Sequence, residues 1–185
     1  MSSDPIRPPE FSRTIATEAL RDRGGGALSA EATDAERAAL AARYGVPAVL
    51  DLSVDATADP WGPGGWRVSG RARARLTQTC VVSLEPVDTE VDEGFVRFFA
   101  PGRRIEEARD LLDEDAEEEP EVLGPAIDVG EIAAEAVALG IDPYPRRPDA
   151  SFDGAVHGPP GAEPLTDEAA RPFARLSALK RRGDA

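Results

Sequence analysis

The chain has 185 residues, with 21 Lys and Arg against 35 Asp and Glu for a formal net charge of −14, and its 41% apolar content is enough to bury a core. The 41% apolar content excludes a wholly disordered chain, while aromatics at only 5% and 17 each of Gly and Pro point to one domain with a modest core and long loops. So acidic a protein repels polyanions at long range, which counts against nonspecific nucleic-acid binding by the whole surface, and one cysteine excludes an internal disulfide framework.

The N-terminus, 1–9, is polar and Pro-rich and reads as a flexible leader to the domain. Residues 10–20 place Phe11 and Ile15 on what reads as a first strand. The run Arg23-Gly24-Gly25-Gly26 reads as a loop, since no Lys-Ser/Thr follows to make it a phosphate cradle. The clearest helix covers 35–44. Thr33 and Glu36 form a capping-box pair, Ala is the best helix former, Gly45 sits at the left-handed C-terminal cap, and Pro47 forbids continuation. Leu40 and Tyr44, four apart, give it one inward stripe.

Residues 46–57 alternate as a half-buried strand, with Val49, Asp51, Ser53 and Asp55 on one side and Leu50, Leu52 and Val54 on the other. A Pro/Gly-rich connection follows, then strands at 66–78 and 89–99. Short connections make the three an antiparallel meander. The stretch 103–122 is crowded with Asp and Glu, which repel one another, and reads as a mobile acidic insertion. Asp128 and Glu131 form a second capping-box pair ahead of an amphipathic helix ending at Gly140. Residues 146–166 read as a Pro/Gly-rich linker. Residues 167–185 read as a short basic helix and tail, with Pro172 in its first turn and Phe173, Leu176 and Leu179 on one face. The expected architecture is a single α+β domain over 10–145. It has an antiparallel sheet curling toward a partly open barrel, with two or three short helices packed on it.

Candidate chemistry is sparse. Nucleophilic catalysis needs a nucleophile, a base and an orienting group within hydrogen-bond reach. The single histidine, His157, lies in the linker, and Cys80 has no histidine in structured sequence to pair with, so it reads as a small buried hydrophobe. Two Cys/His residues are too few for a structural zinc site, and the acidic spacing fits no calcium loop, so no metal, cofactor or enzymatic activity is expected. No stretch approaches the roughly 20 apolar residues of a membrane helix, and no secretory h-region is visible, so a cytoplasmic protein is expected.

One pattern carries binding chemistry. Arg71, Arg73 and Arg75 alternate with Ala72, Ala74 and Leu76, and Arg67 shares their parity. On a strand the guanidinium groups form one row, about 7 Å apart, close to the spacing of successive phosphates. The competing reading is a solvated face whose arginines pair across the sheet with Glu90 and Asp92. Arg175, Lys180, Arg181 and Arg182 add a second basic patch at the C-terminus.

Three segments carry a resemblance. Thr77–Val87 (TQTCVVSLEPV) has Cys80, Leu84 and Pro86 at the positions of a Cys-x-x-Cys-Leu-x-Pro segment. Residues 127–146 place Ile127, Asp128, Glu131, Glu135, Leu139 and Pro143 or Pro145 on an Ile-Asp-Leu-x-Glu element. Residues 172–180 match a closing Pro-Phe-x-x-Leu-x-x-Leu element through Pro172, Phe173, Leu176 and Leu179. In this order the segments resemble the YceD family of bacterial proteins associated with accumulation of the large-subunit ribosomal RNA. The layout, including residues 36–47, is similar to its alphaproteobacterial branch. Ser83 stands in the second cysteine's place, so no metal or redox role suggested by that pair carries over. The resemblance implies a role in ribosome biogenesis, with ribosomal RNA or a large-subunit precursor as partner, and it supplies no catalytic residues. The alternative is an acidic adaptor or chaperone that holds a basic ribosomal protein through 106–121.

Overall fold

The structure is a computed structural model that describes residues 9–112 and 119–151. The chain divides into two compact units, Met1–Pro148 and Asp149–Ala185, and every element below belongs to the first. The expectations for residues 1–8, for the centre of the acidic stretch at 113–118, and for His157 and the basic C-terminal element lie outside the described residues.

The chain enters through Phe11, fully buried, and a short strand β1 (Thr14–Ala16). The expected strand over 10–20 stops there, because Thr17–Arg23 forms helix α1. The physical reason is local. Thr-Glu-Ala-Leu-Arg supports a helix, Glu18 and Arg23 suit its dipole, and Gly24 closes it at φ 72° in the left-handed region. The next strand, β2 (Gly26–Glu31), has no counterpart among the expected elements, because its glycine-led sequence reads as a loop. Helix α2 (Asp34–Tyr44) follows as expected, with the Thr33–Glu36 capping box formed and Gly45 at φ 66°.

The meander is the body of the fold: β3 (Ala48–Trp61), β4 (Gly65–Thr79) and β5 (Pro86–Ala100), all antiparallel. The expected connection at 59–65 is shorter than its composition suggests, since strand pairing continues to Trp61 and Gly65 and only Gly62–Gly64 turn. A register shift between Val49 and Asp51 corrects the expected sidedness of β3. Val49 turns inward and is buried, Leu50 is half-buried, and Asp51 faces out.

After β5 comes a 3-10 turn (Gly102–Arg104), helix α3 (Ile105–Arg109) and β6 (Glu121–Val122), which pairs parallel with Phe99 and Ala100. The flanks of the stretch read as an acidic insertion from 103 to 122 thus carry regular structure, a turn and helix before its centre and a two-residue strand after it. Strand β7 (Ala126–Asp128) pairs antiparallel with β1, and helix α4 (Val129–Gly140) follows directly.

The five-stranded sheet runs β2-β3-β4-β5-β6 and is open, not closed into a barrel; the arrangement is α+β, as expected. One face of the sheet is buried: Leu52 and Val54 of β3, Val68, Ala72 and Leu76 of β4, and Phe95 and Phe99 of β5 meet Leu40 of α2 and Ile132, Ala133 and Val137 of α4. At two glycines the neighbouring chain leaves no room for a side chain. A Cβ on Gly70 would lie 2.4 Å from the Asp55 carbonyl oxygen and 2.7 Å from Phe95 Cζ. A Cβ on Gly130 would lie 2.4 Å from the Phe11 carbonyl oxygen, where α4 starts against the incoming chain.

Candidate functional site

The opposite face of the sheet is solvent-facing, and its charge pattern is fixed by register. Inward Ala72, Ala74 and Leu76 force Arg71, Arg73 and Arg75 outward, and all three are exposed, with Arg67 half-buried on the same side. The neighbours across the ladder are mostly acidic. Arg75 stands between Asp51 and Glu90, Arg73 between Ser53 and Asp92, Arg71 between Asp55 and Gly94, and Arg67 between Asp59 and Phe98. Glu31, opposite Ser53, and Asp88, opposite Thr77, extend the acidic rows on either side.

The face thus carries four guanidinium groups and seven carboxylates, with the arginine row in the middle. Asp55 binds Arg73 at 3.0 Å, and Asp92 stands 3.4 Å from Arg71 and 3.6 Å from Arg73. The Ser29 hydroxyl, aided by Arg73, holds the Asp55 carboxyl below its ordinary value. Arg67 donates to the Ser69 hydroxyl at 3.3 Å. Arg75 is in no ion pair among the described residues, and neither is Glu90, its partner in the expected pairing. Such surface pairs are worth about 0–1 kcal/mol each, so they shape the field more than they stabilise the fold.

The residues of the Cys80–Pro86 motif do something different. They form the β4–β5 hairpin loop and clasp the chain that leaves α4. The Cys80 amide donates to the Glu85 carbonyl and the Leu84 amide to the Cys80 carbonyl, both at 2.9 Å, with Leu84 at φ 60°. Cys80 is fully buried as expected, but its sulfur also works as an acceptor, taking the Ser83 and Arg147 amides at 3.4 Å. Hydrogen bonding from Ser83, joined by Arg147, pulls the thiol down to about 6. Val81 donates to the Pro145 carbonyl at 2.9 Å, and Glu85 pairs with Arg147 at 2.8 Å. Pro86 begins β5, and Leu84 points into solvent.

The second motif is also architectural. Asp128 caps α4 by accepting the Gly130 and Glu131 amides, and its carboxylate also takes the Ser12 hydroxyl at 2.6 Å and the Arg13 amide at 2.7 Å. Glu131 does not complete the expected capping box, because its carboxylate is drawn to Arg43. Glu135 is exposed and Leu139 is 83% exposed at the end of α4. Pro172, Phe173, Arg175, Leu176, Leu179, Lys180, Arg181 and Arg182 lie outside the described residues.

Sequence reasoning missed the acidic rows. It paired the arginines with β5 alone: alternation already puts Asp51 and Asp55 on one side of β3, but only the register between the strands sets Asp51, Asp55 and Asp59 opposite Arg75, Arg71 and Arg67. No cluster of three or more Cys, His, Asp or Glu suited to a metal ion occurs among the described residues, and none of their helices is long and apolar enough to cross a membrane.

Among curated proteins and solved structures, no match is found. The model of one family, described as large ribosomal RNA subunit accumulation protein YceD, matches residues 68–180. That match runs from inside β4 through the hairpin clasp, β5 and α4, and covers more than half of the chain. The chain therefore belongs to the YceD family, whose name ties it to accumulation of the large ribosomal RNA subunit.

Proposed function

We propose that this chain is a non-enzymatic factor that supports large-subunit ribosomal RNA accumulation by engaging a precursor particle, and that it meets the particle through a basic protein component. The observation that carries this reading is the open sheet face, where seven carboxylates flank four arginines and two of those arginines already face carboxylates at ion-pair distance. A phosphate chain approaching the face meets net negative charge, whereas a Lys/Arg-rich segment finds a carboxylate row on each side. Complementarity of this kind steers encounter and rejects partners of the wrong sign. Glu106, Glu107, Asp110, Glu119 and Glu121, all exposed, add the same sign beyond the end of β5. The non-enzymatic part rests on the sequence, in which the only histidine and the only cysteine lie 77 positions apart in different units.

Direct RNA contact is the second reading, and one observation favours it. The Arg71 and Arg73 side chains keep 48% and 50% of their surface exposed, so a phosphate can exchange with Asp55 or Asp92 at small cost.

The test is sedimentation of the tagged chain with large-subunit precursors on a sucrose gradient. One variant carries Asp51→Asn, Asp59→Asn and Glu90→Gln, three acids outside the ion pairs. The other carries Arg71→Gln, Arg73→Gln and Arg75→Gln. Release of the first variant alone supports the protein-mediated reading. Release of the second alone transfers the contact to RNA. Absence of the wild-type chain from precursor fractions overturns the role.

A further inference from the structure

Among the described residues, most of the far edge of β5 is unpaired. Of its 15 residues, only Phe99 and Ala100 pair with another described strand on the side away from β4, with Glu121 and Val122 of β6. Among the described residues no backbone pairs with Pro86–Phe98 on that side. The strand is regular along this length, since its register with β4 runs from Trp66↔Phe99 to Thr79↔Pro86 without a shift. A long regular edge is a template for another strand, and proteins usually blunt it with bulges, prolines, cover or charge. Apart from Pro86 at its start, this edge uses charge.

The two sides of the edge differ. On the outer face stand Asp88, Glu90 and Asp92 at alternate positions. On the inner face, where α4 ends, Glu93, Phe95, Arg97, Ala136 and the exposed Leu139 line a groove of about 400 Å³ that continues the edge. An added strand alternates its side chains between these two faces. Its outward residues would lie beside three carboxylates, and an inward residue would reach the apolar wall of Phe95, Ala136 and Leu139.

We infer that the Pro86–Phe98 edge of β5 binds an extended peptide of another protein by strand addition, the peptide alternating Lys or Arg with apolar residues. Main-chain hydrogen bonds provide affinity, and the acidic row and the groove select the sequence. A second copy of this chain is disfavoured at the same place, because pairing two β5 edges sets Asp88, Glu90 and Asp92 against their own counterparts, and facing like charges destabilise a ladder. The inference deepens the proposed engagement of a basic protein and rests on it for the biological partner, but the edge is testable alone.

The probe is a synthetic peptide of about nine residues alternating lysine and valine, long enough to span much of the edge. It is titrated into the full-length chain by fluorescence anisotropy. Two controls share its charge: a block-ordered peptide of the same composition, and one N-methylated at alternate residues, which cannot hydrogen-bond as a strand. Binding of the alternating peptide at least about tenfold tighter than either control, with slowed amide exchange confined to β5, is the expected result. Leu139→Ser, at an exposed site, and the variant Asp88→Asn, Glu90→Gln, Asp92→Asn should each weaken it by a similar factor. Equal binding of the N-methylated or block-ordered peptide, no binding, or a dimer formed through β5 overturns the inference. If the peptide fails while the chain still sediments with precursors and the Asp51, Asp59 and Glu90 variant does not, the edge is wrong and the functional reading stands. If the peptide binds but the chain is absent from precursors, the reverse holds.

Discussion

Arg43 of α2 and Glu131 of α4 meet in a two-pronged pair, Nη1 to Oε2 at 2.8 Å and Nη2 to Oε1 at 2.7 Å. Donating its hydrogen bonds to Glu131 raises the Arg43 pKa beyond its already high value. Glu10 adds a third contact at 3.1 Å, so one guanidinium ties the incoming chain, α2 and the first turn of α4 together. The pair is only about a quarter exposed on each side, and its forked geometry fits the strong class of charged hydrogen bonds. Arg43→Met should lower stability by about 1–2 kcal/mol, read as a lower urea midpoint with unchanged m-value. An unmoved midpoint would show that the three-way contact contributes nothing.

Acid should loosen the α2 end of the molecule. Hydrogen bonding from Arg13, helped by the Thr33 cap, brings the Glu36 carboxyl from 4.5 down to about 2. Because the folded value is the lower one, the contribution is fully present above about pH 4.5 and is lost as pH falls from there toward 2. The Glu36→Gln variant should lose part of the wild-type stability at neutral pH and show a flatter decline over that window. Parallel curves for both proteins in thermal melts from pH 6 to pH 2.5 would contradict this.

Two glycines on adjacent strands should respond in opposite ways. Gly70→Ala pushes a methyl into the Asp55 backbone and the Phe95 ring, and should cost at least about 2 kcal/mol. Gly94→Ala meets nothing nearer than the Gly70 carbonyl oxygen at 3.9 Å and should fall within about 0.5 kcal/mol of wild type. Calorimetric melting of both variants checks the pair, and equal losses would refute the close approach of the neighbouring strands at Gly70.

How much of this was legible in the sequence depends on whether the signal is local. The Thr33–Glu36 box, the Gly45 cap and the inward Ala72, Ala74 and Leu76 are each set within a few residues, and each is where the pattern puts it. Strand β2 was illegible because Gly26–Glu31 offers one large apolar residue, Leu28, and gains its identity only from pairing with β3. The charged outer face of the sheet was half legible. Arginine parity and the shared side of Asp51 and Asp55 are each properties of one strand, but which carboxylates of β3 and β5 stand opposite which arginine is set by the pairing between strands. Glu131 shows the same limit in a helix, since a local capping motif yielded to a partner 88 positions away.

The hairpin clasp predicts a local effect of losing the one cysteine. Cys80→Ala deprives the Ser83 and Arg147 amides of their shared acceptor. Stability should fall by about 1–3 kcal/mol, and amide exchange at Ser83 and Arg147 should speed up more than at the strand centre near Ala74. Uniform acceleration along β4 would mean that the sulfur serves packing alone.

The most direct measurement of the central claim is site-specific crosslinking from the open face. A photoreactive residue in place of Thr57, exposed beside the Asp55 and Asp59 carboxylates, should capture a Lys/Arg-rich protein in large-subunit precursor fractions. Crosslinks found only on ribosomal RNA, or none in those fractions, would contradict the account.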